Sequence, residues 1–368
     1  MSQEFEIFLV AVPGLETALC EEARAAGFAG ARVVSGGVAF EGGWLDAMRA
    51  NLVLRGASRV LVRIASFRAM HLAQLDKRAR KLPWGDVLRA DVPVSVEATC
   101  RKSRIYHAGA AAQRIARAIG EELGAPVGDD APVKVKARIE DDLCTISIDT
   151  SGEGLHRRGH KQAVNKAPMR ETLAALFLRQ CGYKGDEPVL DPMCGSGTFV
   201  IEAAEIAAGL LPGRDRGFAF EHLNPFDADA WAEMRRSPQM KSPTQRFLGS
   251  DRDAGAIRMS RENAGRAGVV EFCAFEQRPI SEIQAPEGPP GLVIINPPYG
   301  ARIGERQKLF PLYREMGQVL MNRFRGWRVG LIAADATLAK ATGLPFLPPA
   351  KPVDNGGISI TLWRTEAL

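Results

Sequence analysis

Pro188-Val189-Leu190-Asp191-Pro192-Met193-Cys194-Gly195-Ser196-Gly197-Thr198-Phe199-Val200-Ile201-Glu202-Ala203-Ala204 is the stretch that decides the fold. A short apolar run ends in an acid, passes through a Gly-x-Gly turn and enters good helix formers with an apolar stripe. Strand, glycine turn and helix in that order open a doubly wound α/β sheet, whose ligands sit at the carboxyl ends of the strands. The glycines let the backbone bend tightly and come close to a bound molecule. A lone Gly-x-Gly is unspecific, so its neighbours decide what it holds.

The dinucleotide fingerprint needs Gly or Ala at position 200, where Val200 stands. Asp191 precedes the turn, where it would repel a pyrophosphate. A cationic cofactor with an α-amino group suits that carboxylate, so S-adenosylmethionine (SAM) fits, whereas NAD and ATP do not. Downstream, Arg246-Phe247-Leu248-Gly249-Ser250-Asp251 reads as a second strand closing on an acid, followed by a helix from Ala254 to Ala267. A carboxylate at that tip is placed to accept both hydroxyls of a ribose. Asp251, like Asp253, also suits the N-cap of the helix. It lies 54 residues beyond Gly197 rather than the usual ~20. An insertion therefore intervenes, and Gly209 to Gln245, rich in Pro, Arg and aromatics, supplies it.

The third element is the apolar run Leu292-Val293-Ile294-Ile295 followed by Asn296-Pro297-Pro298-Tyr299. It brings a side-chain amide oxygen, a backbone carbonyl with no N–H on the next residue, and an aromatic face to one sheet edge. Together they can accept two hydrogen bonds from a planar –NH2 and stack on its ring. Methylation of the exocyclic amine of a nucleobase requires that set. Taken alone, Pro-Pro after a strand is a stiff exit turn. The convergence of three strand ends on one edge is what makes the pattern specific.

The rest of the chain is organised around this part. Phe5–Val10 reads as a strand, followed by a helix from Pro13-Gly14-Leu15 to about Ala26. A hairpin around Gly36-Gly37, a helix near Trp44 to Asn51 and a strand Arg59 to Phe67 complete a ferredoxin-like α+β unit over residues 1–67. Residues 68–152 alternate similarly, with helices Leu72 to Leu82 and Gly109 to Leu123 and strands Val94 to Cys100, Val133 to Ile139 and Leu143 to Thr150. A polar, glycine-containing linker occupies 153–165. Residues 166–368 form the α/β part, with a helix at Lys166–Gln180, strands near 188, 246, 270, 292, 327 and 357, and a last strand expected to run antiparallel.

Composition fits an enzyme with proper cores: 368 residues, 46% hydrophobic. Apolar runs are strand-length and Met1-Ser2-Gln3-Glu4 is polar, so neither a membrane span nor a secretory signal is expected. The six cysteines lack ligand spacing and read as free thiols. His156 and His160 are four apart, but Arg157-Arg158-Gly159 between them makes a poor zinc helix; no metal is expected. The net charge of +5 is modest, yet Arg55 to Arg104 holds twelve Lys or Arg against four acids. This cluster reads either as a phosphate-backbone footprint or as a solvated helix face.

The segments DPMCGSGTF, GSDRDAGAI…ENAGRAG and NPPYGARIG resemble motifs one, two and four of class I SAM-dependent RNA methyltransferases. The chain is most similar to the THUMP-containing, RlmL-like bacterial group that makes N2-methylguanine in large-subunit ribosomal RNA. The similarity includes Arg216-Gly217-Phe218-Ala219-Phe220-Glu221, Phe226-Asp227…Trp231 and Gly159-His160-Lys161…Ala167-Pro168-Met169-Arg170-Glu171. It implies a Rossmann-like methyltransferase domain with a doubly wound seven-stranded sheet, and a THUMP RNA-binding domain over 68–152. It also implies cytoplasmic rRNA processing, with tRNA as the other candidate substrate.

On this resemblance Asn296, Pro297 and Tyr299 are catalytic. Asp191, Met193, Cys194, Gly195, Gly197, Thr198, Asp251, Gln277 and Asn296 contact the cofactor. Within that set Cys194 reads as a small turn filler, and Gln277, with Glu276 competing, stands where the family has an acid. Arg157, Arg158, Lys161, Arg101, Lys102, Arg104 and Arg302 are candidates for RNA contact. A DNA amino-methyltransferase and a non-catalytic RNA-binding or assembly factor are the rival readings. The chain stops at Leu368, so no second methyltransferase activity is carried over from relatives that have one.

Overall fold

The computed structural model describes residues 4–162, 169–236, 240–299 and 305–368. It separates into two compact units. The first comprises Met1–Ala11, Cys20–Leu155 and Pro212–Arg236, and the second Val12–Leu19, His156–Leu211 and Ser237–Leu368.

The first unit is built on a seven-stranded sheet of β1 (Phe5–Val10), β2 (Arg32–Val34), β3 (Gly37–Gly42), β4 (Arg59–Arg68), β5 (Val94–Arg101), β6 (Val133–Glu140) and β7 (Leu143–Asp149), in the order β2-β3-β1-β4-β7-β6-β5. The first four strands alternate with helices as βαββαβ, the ferredoxin-like pattern. Ile7, Leu9, Val38, Phe40, Val60 and Val62 are fully buried along them, as period-two alternation against a helical layer demands. A boundary expected between residues 67 and 68 falls inside β4, which pairs with β1 on one side and β7 on the other. One sheet therefore runs across it.

Buried polar groups at the β4–β7 junction are mutually satisfied. Asn51 Nδ2 donates to Thr150 Oγ1 at 2.8 Å, Ser151 Oγ donates to Asn51 Oδ1 at 2.6 Å, and Val60 N donates to Ser151 Oγ at 2.8 Å. Such groups are costly to bury unpaired and harmless when paired. The chain inserted between Leu211 and Ser237 returns to this unit: Gly213 N bonds Leu52 O at 3.0 Å and Phe220 N bonds Thr150 O at 3.1 Å. Trp231 stands edge-on to Phe218 and Phe220 there, with centroids 5.6 and 4.9 Å away.

The second unit carries the doubly wound sheet expected from the sequence. Its strands are β8 (Val189–Asp191), β9 (Phe247–Asp251), β10 (Cys273–Gln277), β11 (Leu292–Ile295), β12 (Arg328–Ala333), β13 (Val353–Asn355) and β14 (Ile358–Arg364), ordered β10-β9-β8-β11-β12-β14-β13. β14 runs antiparallel to both neighbours. The strand expected near 270 begins at Cys273, after a single 3-10 turn at Val270–Phe272. β13, three residues between prolines and glycines, has too short an apolar pattern to be read from sequence. The strand order reverses between β8 and β11, which opens a crevice at their carboxyl ends. The helix expected at Lys166–Gln180 spans Glu171–Gln180; residues 163–168 lie outside the described residues.

Candidate active site

Three strands deliver acids or amides to the same edge. Asp191 ends β8, Asp251 ends β9 and Gln277 ends β10, with Gln277 in register beside Asp251; Asn296 follows β11, the other neighbour of β8. Asp191 is 2% exposed, and Met193 N donates to its Oδ1 at 3.0 Å. Burial pushes its carboxyl up to about 8, against the Met193 N–H and with help from the Asp251 charge. A buried acid with no cation paired to it among the described residues is the partner that an ammonium group would stabilise in ionised form.

The glycine turn is held from below and open above. Gly197, at φ +83°, starts the helix Thr198–Ala207, and Thr198 is buried. Gly195, at φ +54°, faces open space: a Cβ there would meet nothing within 4 Å. Its N–H donates to Asp251 Oδ2 at 3.1 Å, and its carbonyl accepts from Ser260 Oγ at 2.9 Å. Asn263 Nδ2 donates to the Ser196 carbonyl at 3.0 Å. Ser260 and Asn263, both fully buried on the helix Ala254–Ala267, were not among the expected site residues. The signal for them is two polar residues three apart on an otherwise apolar helical stripe. Cys194 is buried beneath the turn, and burial pushes its thiol well above the ordinary value, which makes it unreactive.

Asp251 Oδ1 accepts Asp253 N at 3.0 Å, and Asp253, not Asp251, caps the helix by accepting Gly255 N at 2.9 Å. An ionised carboxylate offers about four acceptor positions, so these two backbone bonds leave Asp251 room for further donors. Gln277 is exposed, and its Nε2 donates to Arg252 O at 3.1 Å. That bond occupies the amide nitrogen and leaves the carbonyl oxygen. Glu276 pairs with Arg278 at 2.9 Å and lines a cleft of about 530 Å³ together with Leu190, Leu248, Ser250 and Ile283.

Asn296 is half-buried, and Tyr299 donates its hydroxyl to Asn296 Oδ1. Burial pushes the Tyr299 hydroxyl up to about 12, despite bonds to Asn355 and Asn296 that favour ionisation. The Pro298 carbonyl accepts from the buried Tyr313 hydroxyl at 3.2 Å. The Pro297 carbonyl precedes a residue with no N–H. Arg302 lies outside the described residues.

The expected RNA-contacting cations divide sharply. Arg157 is exposed. Arg158 is 3% exposed and pairs with Glu202 and, at 3.6 Å, with Glu205. Lys161 is largely buried, donates to Met169 O at 2.6 Å and lies 3.4 Å from Glu171. The reading of Arg158 and Lys161 as surface phosphate contacts is corrected: each is committed to internal carboxylates, because a buried cation is tolerated only when paired. His160 Nδ1 lies 3.9 Å from Glu205, and burial lowers its pKa. Arg101, Lys102 and Arg104 are exposed on the first unit. Among the described residues no group of three or more His, Cys, Asp or Glu could hold a metal, and no helix is long and apolar enough to cross a membrane.

Comparison with known proteins agrees with this geometry. The family model described as RMKL-like, methyltransferase domain, matches residues 158–362, and that of the RlmL ferredoxin-like domain matches residues 6–61. The ribosomal RNA large subunit methyltransferase K/L of Syntrophotalea carbinolica is 35% identical over 94% of this chain; the chain spans about half, 51%, of that relative. A predicted N6-adenine-specific DNA methylase from Listeria monocytogenes superposes with a TM-score of 0.87 at 29% identity, covering 100% of this chain and 97% of that one. Another solved chain, complexed with SAH, gives 0.87 at 25% identity, covering 100% and 99%.

Proposed function

The chain belongs to the RMKL-like methyltransferase family, and on that premise we propose that it transfers a methyl group from SAM to the exocyclic N2 amine of a guanine in RNA, large-subunit ribosomal RNA first among substrates. The observation that carries this reading is the Asn296-Pro297-Pro298-Tyr299 turn after β11, beside the strand that ends in the buried Asp191.

The residues present suit SAM. Asp191 offers a carboxylate for an α-amino group, Gly195 leaves open space over the turn, and Asp251 keeps acceptor capacity for a ribose. Met193, Cys194, Gly197 and Thr198 supply the turn around it, and the Gln277 carbonyl is available to an adenine amine. When bound, SAM supplies an activated methyl group, so the protein's task is alignment and support of a weak nucleophile.

The N2 lone pair of guanine is delocalised into the ring. Hydrogen bonds from its two protons to Asn296 Oδ1 and the Pro297 carbonyl localise it and grow stronger as positive charge develops. The Tyr299 hydroxyl orients the amide: by donating to Asn296 Oδ1 it fixes which end is the acceptor, and a carbonyl oxygen has a second lone pair for the base. The Pro298 carbonyl is engaged by Tyr313, which leaves that of Pro297 for the substrate. The ring of Tyr299 stacks on a base that has left its helix. The methylated amine can release its proton after transfer, so this scheme needs no general base.

Labelled SAM with undermodified ribosomal and transfer RNA, followed by nucleoside mass spectrometry, tests the proposal. Label in N2-methylguanosine from ribosomal RNA, lost in Asn296→Ala, is the expected result. The same nucleoside from transfer RNA changes the substrate and keeps the chemistry. The Listeria relative's description favours a second reading, adenine N6 methylation of DNA; N6-methyladenine formed in duplex DNA and no methylated RNA would establish it instead.

A further inference from the structure

Tyr106 is 85% exposed, the most exposed of the large hydrophobic side chains among the described residues. Its backbone is nevertheless fixed. It stands between β5 and the helix Ala108–Leu123, and the segment is tied down on both sides. Ser103 Oγ donates to Arg101 O at 2.8 Å and accepts Asp142 N at 3.1 Å, while Arg104 N donates to Asp142 Oδ1 at 2.8 Å. Ile105 is 4% exposed and anchors the loop in the core; His107 Nδ1 caps the helix by accepting Ala110 N at 3.2 Å. An aromatic ring held out in water by a rigid loop adds no burial to the fold, so folding does not account for it.

Its surroundings are cationic. Arg101, Lys102 and Arg104 lie exposed on the same segment. Of the nearby acids, Glu140 pairs with Arg138 at 2.5 Å and Asp142 with the Arg104 backbone and, at 3.9 Å, its guanidinium, while Asp141 is exposed and donates its N–H to Arg101 O at 3.3 Å. Met70, 41% exposed, touches the Arg104 guanidinium through its sulfur at 3.3 Å. A solvent-facing aromatic among cations is the combination that holds single-stranded nucleic acid, with stacking for the base and cations for the backbone. Duplex covers its base faces and offers no such partner.

We propose that Tyr106, with Arg101, Lys102 and Arg104, is a stacking platform for an unpaired RNA base. This rests on the reading of RNA as substrate and adds where, and in what state, the first unit holds it. The test is fluorescence anisotropy of the full chain with a labelled deca-adenylate RNA and with a labelled, fully paired RNA duplex. Tyr106→Ala is expected to weaken the single strand by about five- to a hundredfold and leave the duplex unchanged. Tyr106→Trp keeps the affinity, and Arg101→Ala with Lys102→Ala flattens its salt dependence.

Thermal melting of Tyr106→Ala is expected to match the parent, since the side chain packs little. Equal single-strand affinity in Tyr106→Ala, equal loss on the duplex, or loss in Tyr106→Trp as well would each overturn the proposal. The assay involves no methyl transfer. Stacking on Tyr106 without any N2-methylguanosine would therefore remove the catalytic reading alone.

Discussion

Asp251 Oδ2 accepts the backbone N–H of Gly195 at 3.1 Å, joining the end of β9 to the glycine turn that follows β8. The contact ties two sites that sequence keeps 56 residues apart, so the carboxylate shapes the turn in addition to its proposed ribose contact. A hydrogen bond to a charged group contributes about 1.5–3 kcal/mol. Asp251→Ala is therefore expected to weaken SAM binding by at least about tenfold, read by calorimetry. Asp251→Asn keeps one acceptor oxygen and should fall between the two. An unchanged dissociation constant in Asp251→Ala would remove both roles.

Asp191 gives a pH prediction with a definite sign. Its folded carboxyl titrates near 8, against about 3.9 for an unperturbed Asp. Between those values the folded chain binds a proton that the unfolded chain has lost, so this group's contribution to stability is complete below pH ~4 and fades as the pH rises to ~8. An ammonium group placed beside it draws the pKa down. SAM binding should then release about one proton near pH 6, seen as a buffer-dependent enthalpy, and Asp191→Asn should abolish the release. Binding without proton release in the parent chain would mean that no cation meets Asp191.

The Arg158–Glu202 pair separates structure from substrate binding. Both side chains are buried, and Glu205 stands 3.6 Å from the same guanidinium. Removing one member of a buried pair typically costs about 3–5 kcal/mol. Arg158→Ala should lower the melting temperature substantially and leave RNA affinity of the folded fraction within about twofold, as for a residue that touches no phosphate. A large RNA-binding defect with unchanged melting would return Arg158 to the RNA-contacting residues.

Tyr299→Phe tests the orientation of Asn296. It removes the hydroxyl that holds the amide and keeps the ring. The expected result is a fall in kcat of about tenfold, the scale of one hydrogen bond, with KM for RNA little changed. Tyr299→Ala, which also removes the stacking face, should raise KM as well. Equal effects of both substitutions on KM would assign the hydroxyl, not the ring, to substrate binding.

The cofactor edge was legible because its pieces are local. Asp191, Gly195 and Gly197 stand within one strand-turn-helix, Asp251 and Asn296 each end an apolar run, and period and punctuation place all of them at the same edge. Ser260 and Asn263 escaped because a polar pair on a helical stripe does not declare its partners. Only the packing of the helix Ala254–Ala267 under the turn aims them at the carbonyls of Gly195 and Ser196.

The sequence by itself determined the doubly wound sheet, the acid before the glycine turn and the Asn-Pro-Pro-Tyr exit, since each follows from neighbouring residues and backbone stereochemistry. Tertiary structure alone decided which cations face water. Arg157 and Arg158 are adjacent in the chain, yet one is exposed and the other is locked between two glutamates of a helix that begins forty residues later. It also decided that the segment 212–236, which interrupts the sequence of the second unit, belongs to the first. Burial and pairing depend on residues distant in the chain, and charge patterning along a sequence carries no record of them.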